Sequence, residues 1–208
     1  MDKKKALKLA AQIVFFGALW GITEATLGFL LHFLPPTIAG IVMFPIAVFI
    51  LVKAYKATGS RTALIFIGFV AAGIKAVDFL VPGMMPFKII NPMISIVMES
   101  MIVAVAYPMI KRTGWKTKLA GGLVTSIGWR LGYVLYMGVQ FLITGFVSKY
   151  ISTAGEFINF VLLNGILSGL LAFLAVAVEP KLAVNKLKFR PAYALAALVL
   201  ALGFQLLL

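Results

Sequence analysis

Five charged side chains stand inside otherwise apolar stretches of the sequence: Glu24, Lys75, Asp78, Glu99 and Arg130. Groups of these kinds can bind a polar or zwitterionic solute through charge-assisted hydrogen bonds. They can also pair with one another, since Lys75 and Asp78 have the i, i+3 spacing at which helical side chains meet, and Arg130 has Glu24 or Glu99 as possible partners. The pattern therefore indicates either a polar binding cavity or a network of ion pairs that only holds the fold together.

The composition of the chain decides which environment these charges occupy. Of the 208 residues, 62% are hydrophobic and 12% are charged, and the mean hydropathy is +1.08. Soluble domains are typically about 45–50% apolar and about 25% charged. So much apolar surface cannot be buried in one soluble core of this size, and we predict an integral membrane protein. A charge inside a membrane span is costly and usually faces a shared interior.

Seven apolar stretches are the elements predicted to position the charges. Most approach the roughly 20 residues that an α-helix needs to cross a ~30 Å hydrocarbon core. Runs such as LAALVLALGFQLLL lack the alternation of barrel strands, so helices are predicted. We expect an all-α, polytopic membrane bundle of six to seven transmembrane helices, forming a single domain over residues 1–208. The stretches are Leu9–Phe33, Ile38–Val52, Ala63–Val81, Pro92–Ile110, Leu119–Phe146, Phe157–Val178 and Ala192–Leu208, of which the second and seventh are shorter.

The basic residues predict an orientation. If every stretch crosses once, most of them fall on one side of the membrane, whereas Lys88 and Lys149 fall on the other. Cytoplasmic loops carry an excess of Lys and Arg, so we predict a cytoplasmic N-terminus. The net charge of +13 follows from this distribution, and no binding of nucleic acid is expected. The residues on the predicted cytoplasmic side are Lys3, Lys4, Lys5, Lys8, Lys53, Lys56, Arg61, Lys111, Arg112, Lys116, Lys118, Lys181, Lys186, Lys188 and Arg190.

This orientation assigns a height to each charge. At a rise of ~1.5 Å per residue, the five side chains lie about 18 to 24 Å above the cytoplasmic edge, on four different helices. Other polar residues share their helical faces. We therefore predict a cavity in the outer half of the membrane, with three negative and two positive groups that suit a small polar or zwitterionic organic solute. The predicted binding residues are Glu24, Lys75, Asp78, Glu99, Arg130, Trp20, Asn91, Ser95, Tyr133 and Asn164.

Several chemical classes are not expected. The sequence has no cysteine and one histidine, His32, which argues against thiolate and multi-histidine metal sites. It has neither a Walker phosphate loop nor an HExxH motif. We therefore predict no catalytic residue, no metal, no cofactor and no enzymatic activity. If the protein were an enzyme, Glu24, Asp78 and Glu99 would be its acid–base groups.

Small residues recur at four-residue spacing in the first stretch. Ala6 and Ala10 form one such step, and Gly17 and Gly21 form another. This spacing lets helices approach closely. It indicates either packing within the molecule or a docking surface for another membrane subunit, and we assign these four residues to partner docking.

The segments ALKLA and GALWG, together with the size of the chain and the absence of an ATPase motif, resemble the substrate-binding S components of energy-coupling factor (ECF) vitamin transporters. The resemblance implies a vitamin or related small molecule bound near the outer face. It also implies a membrane coupling subunit, with ATPase subunits in trans, and uptake across a prokaryotic plasma membrane. That family usually has six helices with both ends inside, so the seventh stretch would be an addition.

Two other functional classes remain open. A stand-alone proton- or ion-coupled carrier or channel would need a titrating acid, for which Glu99 or Glu24 is favoured. A non-transporting subunit of a membrane complex would use the charges only for structure. In all three cases the protein lies in the lipid bilayer.

Overall fold

The computed structural model describes residues 2–31, 33–34, 36–177 and 190–207. His32 and three of the basic residues used for the orientation, Lys181, Lys186 and Lys188, lie outside the described residues. The described residues form seven helices, the third of which ends in a 3-10 segment, Ala76–Leu80, and one separate 3-10 turn, Lys149–Ile151, with no strand in these ranges. The helices are α1 (Lys3–Leu31), α2 (Pro36–Thr58), α3 (Arg61–Leu80), α4 (Pro86–Ile110), α5 (Trp115–Thr144), α6 (Ala154–Ala177) and α7 (Pro191–Leu207). The predicted all-α bundle is thereby confirmed.

Five of the helices, α1, α2, α3, α4 and α6, are long and apolar enough to cross a membrane. Helix α5 has 30 residues and is not one of these five. Its buried side contains several glycine and polar residues. Helix α7 is apolar and shorter, with 17 residues. The chain is a multi-pass membrane protein.

Three prolines lie inside helices, and one of them changes a predicted boundary. Prolines commonly break or end helices, yet Pro45 lies inside α2, and Pro92 and Pro108 lie inside α4. Helix α4 consequently begins at Pro86, six residues before the predicted start. In membrane helices, neighbouring helices and side-chain hydroxyls can satisfy the carbonyls that a proline frees. One turn after Pro92, the Ser95 hydroxyl donates to the Pro92 carbonyl at 2.9 Å, which satisfies the serine side chain within the helix.

Six helices close into a ring. Around it, each helix packs against the next in the order α1, α3, α4, α5, α6, α2 and back to α1. Helix α7 lies outside the ring, mainly against α1. The α1–α2 contact near one end includes a 3.0 Å hydrogen bond from the Gln12 side chain to the Ala57 carbonyl.

Glycines set the closest helix contacts in the ring. A Cβ added at Gly17 would lie 2.5 Å from the Cβ of Val70 on α3. One added at Gly122 would lie 2.6 Å from the Gly169 carbonyl oxygen, which belongs to the backbone of α6. These helices therefore approach to a distance that only glycine permits.

The bundle buries several polar side chains beside a large apolar core, and it exposes many apolar side chains on its outer surface. Thr125, Ser126 and Ser168 are fully buried, whereas Val105 and Leu142 are 69% and 82% exposed. Exposed apolar surface on this scale indicates contact with lipid. Glu99 and Arg130 are buried within the ring of helices and do not face the membrane.

The predicted orientation can be measured with single cysteines, because the chain has none of its own. Met85 and Ser152 are exposed in the connections that the charge distribution places outside, and Thr113 is exposed in a connection placed inside. We expect Met85→Cys and Ser152→Cys to react with a membrane-impermeant maleimide in intact cells. Thr113→Cys should react only after permeabilisation, and the opposite labelling pattern would refute the orientation.

Candidate binding site

A cavity of about 200 Å³ lies within the ring of helices. We call it the central cavity. Six of the ten predicted binding residues line it, and they come from α1, α4, α5 and α6. These six are Glu24, Ser95, Glu99, Arg130, Tyr133 and Asn164. The remaining lining residues are Gly28, Ala39, Gly40, Met43, Pro92, Trp129, Tyr150 and Phe160.

Arg130 is the cation of the central cavity and is only 1% exposed. Its Nη1 donates to the Ser126 carbonyl at 2.9 Å and to the Ser126 hydroxyl at 2.7 Å, one helical turn away. Its Nη2 donates to the Gly40 carbonyl of α2 at 3.3 Å. These bonds hold the planar guanidinium in one orientation. The Nε has no hydrogen-bond partner among the described residues, so its N–H donor remains unused.

Aromatic rings surround the guanidinium. Its Cζ lies 4.5 Å from the ring centre of Trp129, 5.7 Å from that of Phe160 and 6.0 Å from that of Phe44. Ring faces at these distances attract a cation, and more strongly where water is excluded. The indole Nε1 of Trp129 is also buried without a hydrogen-bond partner in the part of the chain that the structure describes. Two residues that line the cavity, Trp129 and Arg130, therefore each have one buried donor without a partner among the described residues.

Tyr150 reaches the same cavity from the 3-10 turn between α5 and α6. Its ring stacks on Phe160 with centres 4.3 Å apart. Burial raises the pKa of the Tyr150 phenol above its ordinary value. The hydroxyl therefore remains a neutral donor and acceptor across the physiological pH range.

Two carboxylates border the central cavity. Glu99 comes from α4 and is 7% exposed, and Glu24 comes from α1. The Trp20 indole donates to a Glu24 carboxylate oxygen at 3.0 Å. Glu24 also begins a π-helical segment, Glu24–Gly28, which shifts the register of α1 at this height. Such π segments are rare, and they occur frequently at functional sites.

Lys75 and Asp78 do not join these groups. They line a separate cavity of about 450 Å³ between α1, α3 and α7, which we call the lateral cavity. Their side chains pair with each other, Lys75 Nζ to Asp78 Oδ2 at 2.7 Å, as their spacing predicts. Glu24 borders both cavities. The single chamber expected from the common height of the charges is therefore two cavities.

Two other predicted residues lie outside both cavity walls. Trp20 is fully buried and orients Glu24 from behind. The Asn91 side-chain oxygen accepts from the Tyr136 hydroxyl at 2.9 Å and from Gln140 Nε2 at 3.2 Å. Asn91 thus connects α4 to α5 near the end of the bundle where Lys88 lies.

Sequence reasoning missed several residues of the two cavities. Trp129 is adjacent to Arg130, and this adjacency was the available signal. Phe160 and Tyr150 also line the central cavity, and neither was among the predicted binding residues. Gln205, which lines the lateral cavity, is the one polar side chain in the apolar run of α7, and that isolation could have identified it.

The four residues assigned to partner docking separate into two pairs. Gly17 and Gly21 are buried, and the faces of these glycines are filled by Val70 and Ile74 of α3. Gly17 and Gly21 therefore pack α1 against α3 within the molecule and are not accessible to another subunit. Ala6 is half-buried and Ala10 is exposed, so the outer side of this end of α1 is accessible.

Comparison of the chain with protein-family models, curated proteins and solved structures gives no match. Among the described residues, no three His, Cys, Asp or Glu side chains lie close enough together to hold a metal ion. Function is therefore inferred from the two cavities themselves.

Proposed function

We propose that this membrane protein binds a small zwitterionic or polyfunctional organic solute in the central cavity. One observation carries the proposal: a buried, fixed cation and two carboxylates, Arg130 with Glu24 and Glu99, border the same cavity. An acidic group of the solute would bind the unused Nε of Arg130 and the indole of Trp129. An amino or hydroxyl group would bind Glu24 or Glu99.

A purely structural network is the less favourable explanation of the same residues. Burying a charge costs several kcal/mol, and apolar replacements of buried ion pairs are often equally stable. Two buried donors without partners add a further cost of about 1–3 kcal/mol each. A solute that supplies the missing acceptors removes that cost, whereas a structural role leaves it unexplained.

The size of the cavity limits the solute. About 200 Å³ corresponds to about seven water molecules at ~30 Å³ each. This is smaller than the ~300–1,000 Å³ of sites for drug-sized ligands. A compact solute, comparable to an amino acid, is favoured over a large vitamin. Trp129, Tyr150 and Phe160 provide apolar contact for its carbon skeleton.

We further propose that the protein is the solute-specific subunit of a multi-subunit importer in a prokaryotic plasma membrane. The ring of six helices with a peripheral seventh agrees with the expectation that α7 is an addition to a six-helix S component. The accessible side of α1 at Ala6 and Ala10 is where a coupling subunit would dock. ATPase subunits would then act through that partner and not through this chain.

A proton-coupled carrier is the second candidate, because two carboxylates border one cavity. Purified protein in proteoliposomes distinguishes the two functions. We expect the importer subunit alone to bind its solute without accumulating it, with or without a pH gradient. Uptake by the protein alone, driven by the gradient, would replace the importer proposal with the carrier.

Native mass spectrometry of the protein, released gently from the membrane, tests solute binding. We expect a retained adduct of small mass that is lost in Glu99→Gln. Lys116→Gln makes a comparable change at an exposed position near the start of α5, and it should keep the adduct. If no adduct is retained and a library of zwitterionic metabolites produces no thermal shift, the binding proposal fails.

A further inference from the structure

The lateral cavity contains polar groups that the proposed solute site does not use. Asp78 is 5% exposed and lies at its floor. One carboxylate oxygen pairs with Lys75, and the other accepts from Gln205 Nε2 at 2.5 Å. Both oxygens are therefore engaged within the protein. Asp78 positions its neighbours and is not the group that a ligand would contact.

The contact with Asp78 fixes the orientation of Gln205. An ionised carboxylate only accepts hydrogen bonds, so the amide nitrogen of Gln205 must face it. The amide oxygen, Oε1, then points away from Asp78. It is buried and has no partner among the residues that the structure describes, while Gln205 as a whole is 8% exposed. A buried acceptor without a partner costs free energy, and a ligand that donates a hydrogen bond to it would remove that cost.

Two lysines supply positive charge to the same cavity. Lys75 has three donors, and one of them is directed to Asp78. Lys88 is exposed at the cavity edge, in the first turns of α4. Glu24 also borders the cavity, and one of its oxygens accepts from the Trp20 indole. Because Asp78 is occupied by Lys75 and Gln205, the remaining lysine donors can bind an anion from outside the protein.

Exposed apolar side chains line part of the lateral cavity. Phe29 of α1 is 38% exposed and Leu206 of α7 is 55% exposed, and both line the cavity. A ligand that fits must therefore combine an anion, a hydrogen-bond donor and an apolar portion. A phospholipid with a hydroxyl- or amine-bearing headgroup has all three.

We propose that the lateral cavity binds the phosphodiester headgroup of a membrane phospholipid. The phosphate lies between Lys75 and Lys88, a headgroup hydroxyl or amine donates to Gln205 Oε1, and the acyl chains extend over Phe29 and Leu206. The site requires α7, because Gln205 and Leu206 belong to that helix. This gives the peripheral seventh helix a role that the six-helix ring does not need.

Two lipids of equal charge test the headgroup contact. Phosphatidylglycerol has hydroxyl donors beyond the phosphate, whereas phosphatidylmethanol has none. We expect the full-length protein to retain phosphatidylglycerol about tenfold more tightly in native mass spectrometry of mixed micelles, as expected for one hydrogen bond to a buried acceptor. Gln205→Leu should abolish the difference between the two lipids. Equal retention by the unaltered protein would overturn the role of Gln205 Oε1 and with it the proposal.

A charge-matched pair of variants tests the phosphate contact. Lys88→Gln removes a cation at the cavity edge, and because Lys88 is exposed the variant should fold normally. Lys149→Gln makes the same change elsewhere, in the connection that contains the 3-10 turn. We expect only Lys88→Gln to weaken phosphatidylglycerol retention, by about three- to tenfold. Equal effects of the two variants would show general attraction to an anionic lipid surface and overturn the specific site.

Glycerol 3-phosphate distinguishes a lipid from a soluble phosphate ester. We expect it to produce no thermal shift in lipid-free detergent at concentrations where phosphatidylglycerol does, because it lacks the apolar portion. A shift from glycerol 3-phosphate alone would assign the cavity to a soluble ligand and overturn the lipid proposal. Either result leaves solute binding in the central cavity to its own test.

Discussion

Arg130→Met is expected to weaken binding of the retained solute by at least a hundredfold. Truncating one partner of a buried, hydrogen-bonded charge pair typically costs about 2–5 kcal/mol, and each ~1.4 kcal/mol is a factor of ten in affinity. Methionine keeps an unbranched apolar side chain between the aromatic rings, so the loss should lie in recognition more than in packing. The measurement is the dissociation constant of the retained solute, together with the midpoint of thermal unfolding.

The expected size of this effect follows from how rigidly the guanidinium is held. Ser126 and Gly40 fix both terminal nitrogens, and the Trp129 ring lies 4.5 Å away. A solute therefore meets a cation that is already oriented, and little side-chain entropy is lost on binding. Arg130→Lys keeps the charge but loses the planar donor set, so we expect an intermediate affinity.

Two controls separate recognition from stability. Arg112→Met removes an exposed arginine in the connection before α5, and it should leave both measurements unchanged. A double-mutant cycle with Glu99→Gln measures whether the two charges act on one solute, and coupling above about 0.5 kcal/mol is expected for groups in one network. Wild-type affinity in Arg130→Met, combined with a lower unfolding midpoint, would assign Arg130 to structure alone.

The sequence was sufficient to predict the helices and to identify three charged residues that share one cavity. Apolar runs define the helices because lipid contact requires continuous hydrophobicity, and the rise per residue converts a position in the chain to a depth. Glu24, Glu99 and Arg130 do line one cavity. Height is only one coordinate, however. It does not say toward which neighbouring helices a side chain is directed. Lys75 and Asp78 were therefore assigned to the same chamber, although they lie on the other side of α1.

The aromatic lining was not predictable for a related reason. In a membrane helix, a ring that faces lipid and a ring that faces a cavity occur in equally apolar sequence. Phe160 therefore carried no signal of its own, and the role of Gly40 as an acceptor for Arg130 depends on its backbone, which any residue would supply. Small-residue spacing was ambiguous in the same way. It predicted close approach correctly at Gly17 and Gly21, but the neighbour is α3 of the same chain.

We also expect a large effect from a substitution at the contact between α5 and α6, because both helices carry residues of the central cavity. Gly122→Ala would place a Cβ 2.6 Å from the Gly169 carbonyl oxygen and 3.3 Å from the Phe173 nitrogen. A backbone atom cannot relieve the contact by changing rotamer, as a side chain can, so the two helices must move apart. Overpacking of this kind costs about 1–3 kcal/mol, and we expect a clearly lower midpoint of thermal unfolding in detergent or nanodiscs.

Gly138→Ala is the matched control, since the same change is made in the same helix where nothing lies within 4 Å of the added Cβ. Alanine is favoured over glycine in a helix interior by about 1 kcal/mol, so Gly138→Ala should be neutral or stabilising. Helix propensity acts in the same direction at both positions, and the difference between the variants isolates the contact. Arg130 lies about two turns beyond Gly122 on α5, and Asn164 lies about one and a half turns before Gly169 on α6. Separation of the helices should therefore also weaken solute binding in Gly122→Ala, whereas equal stability and equal binding in the two variants would contradict the close approach.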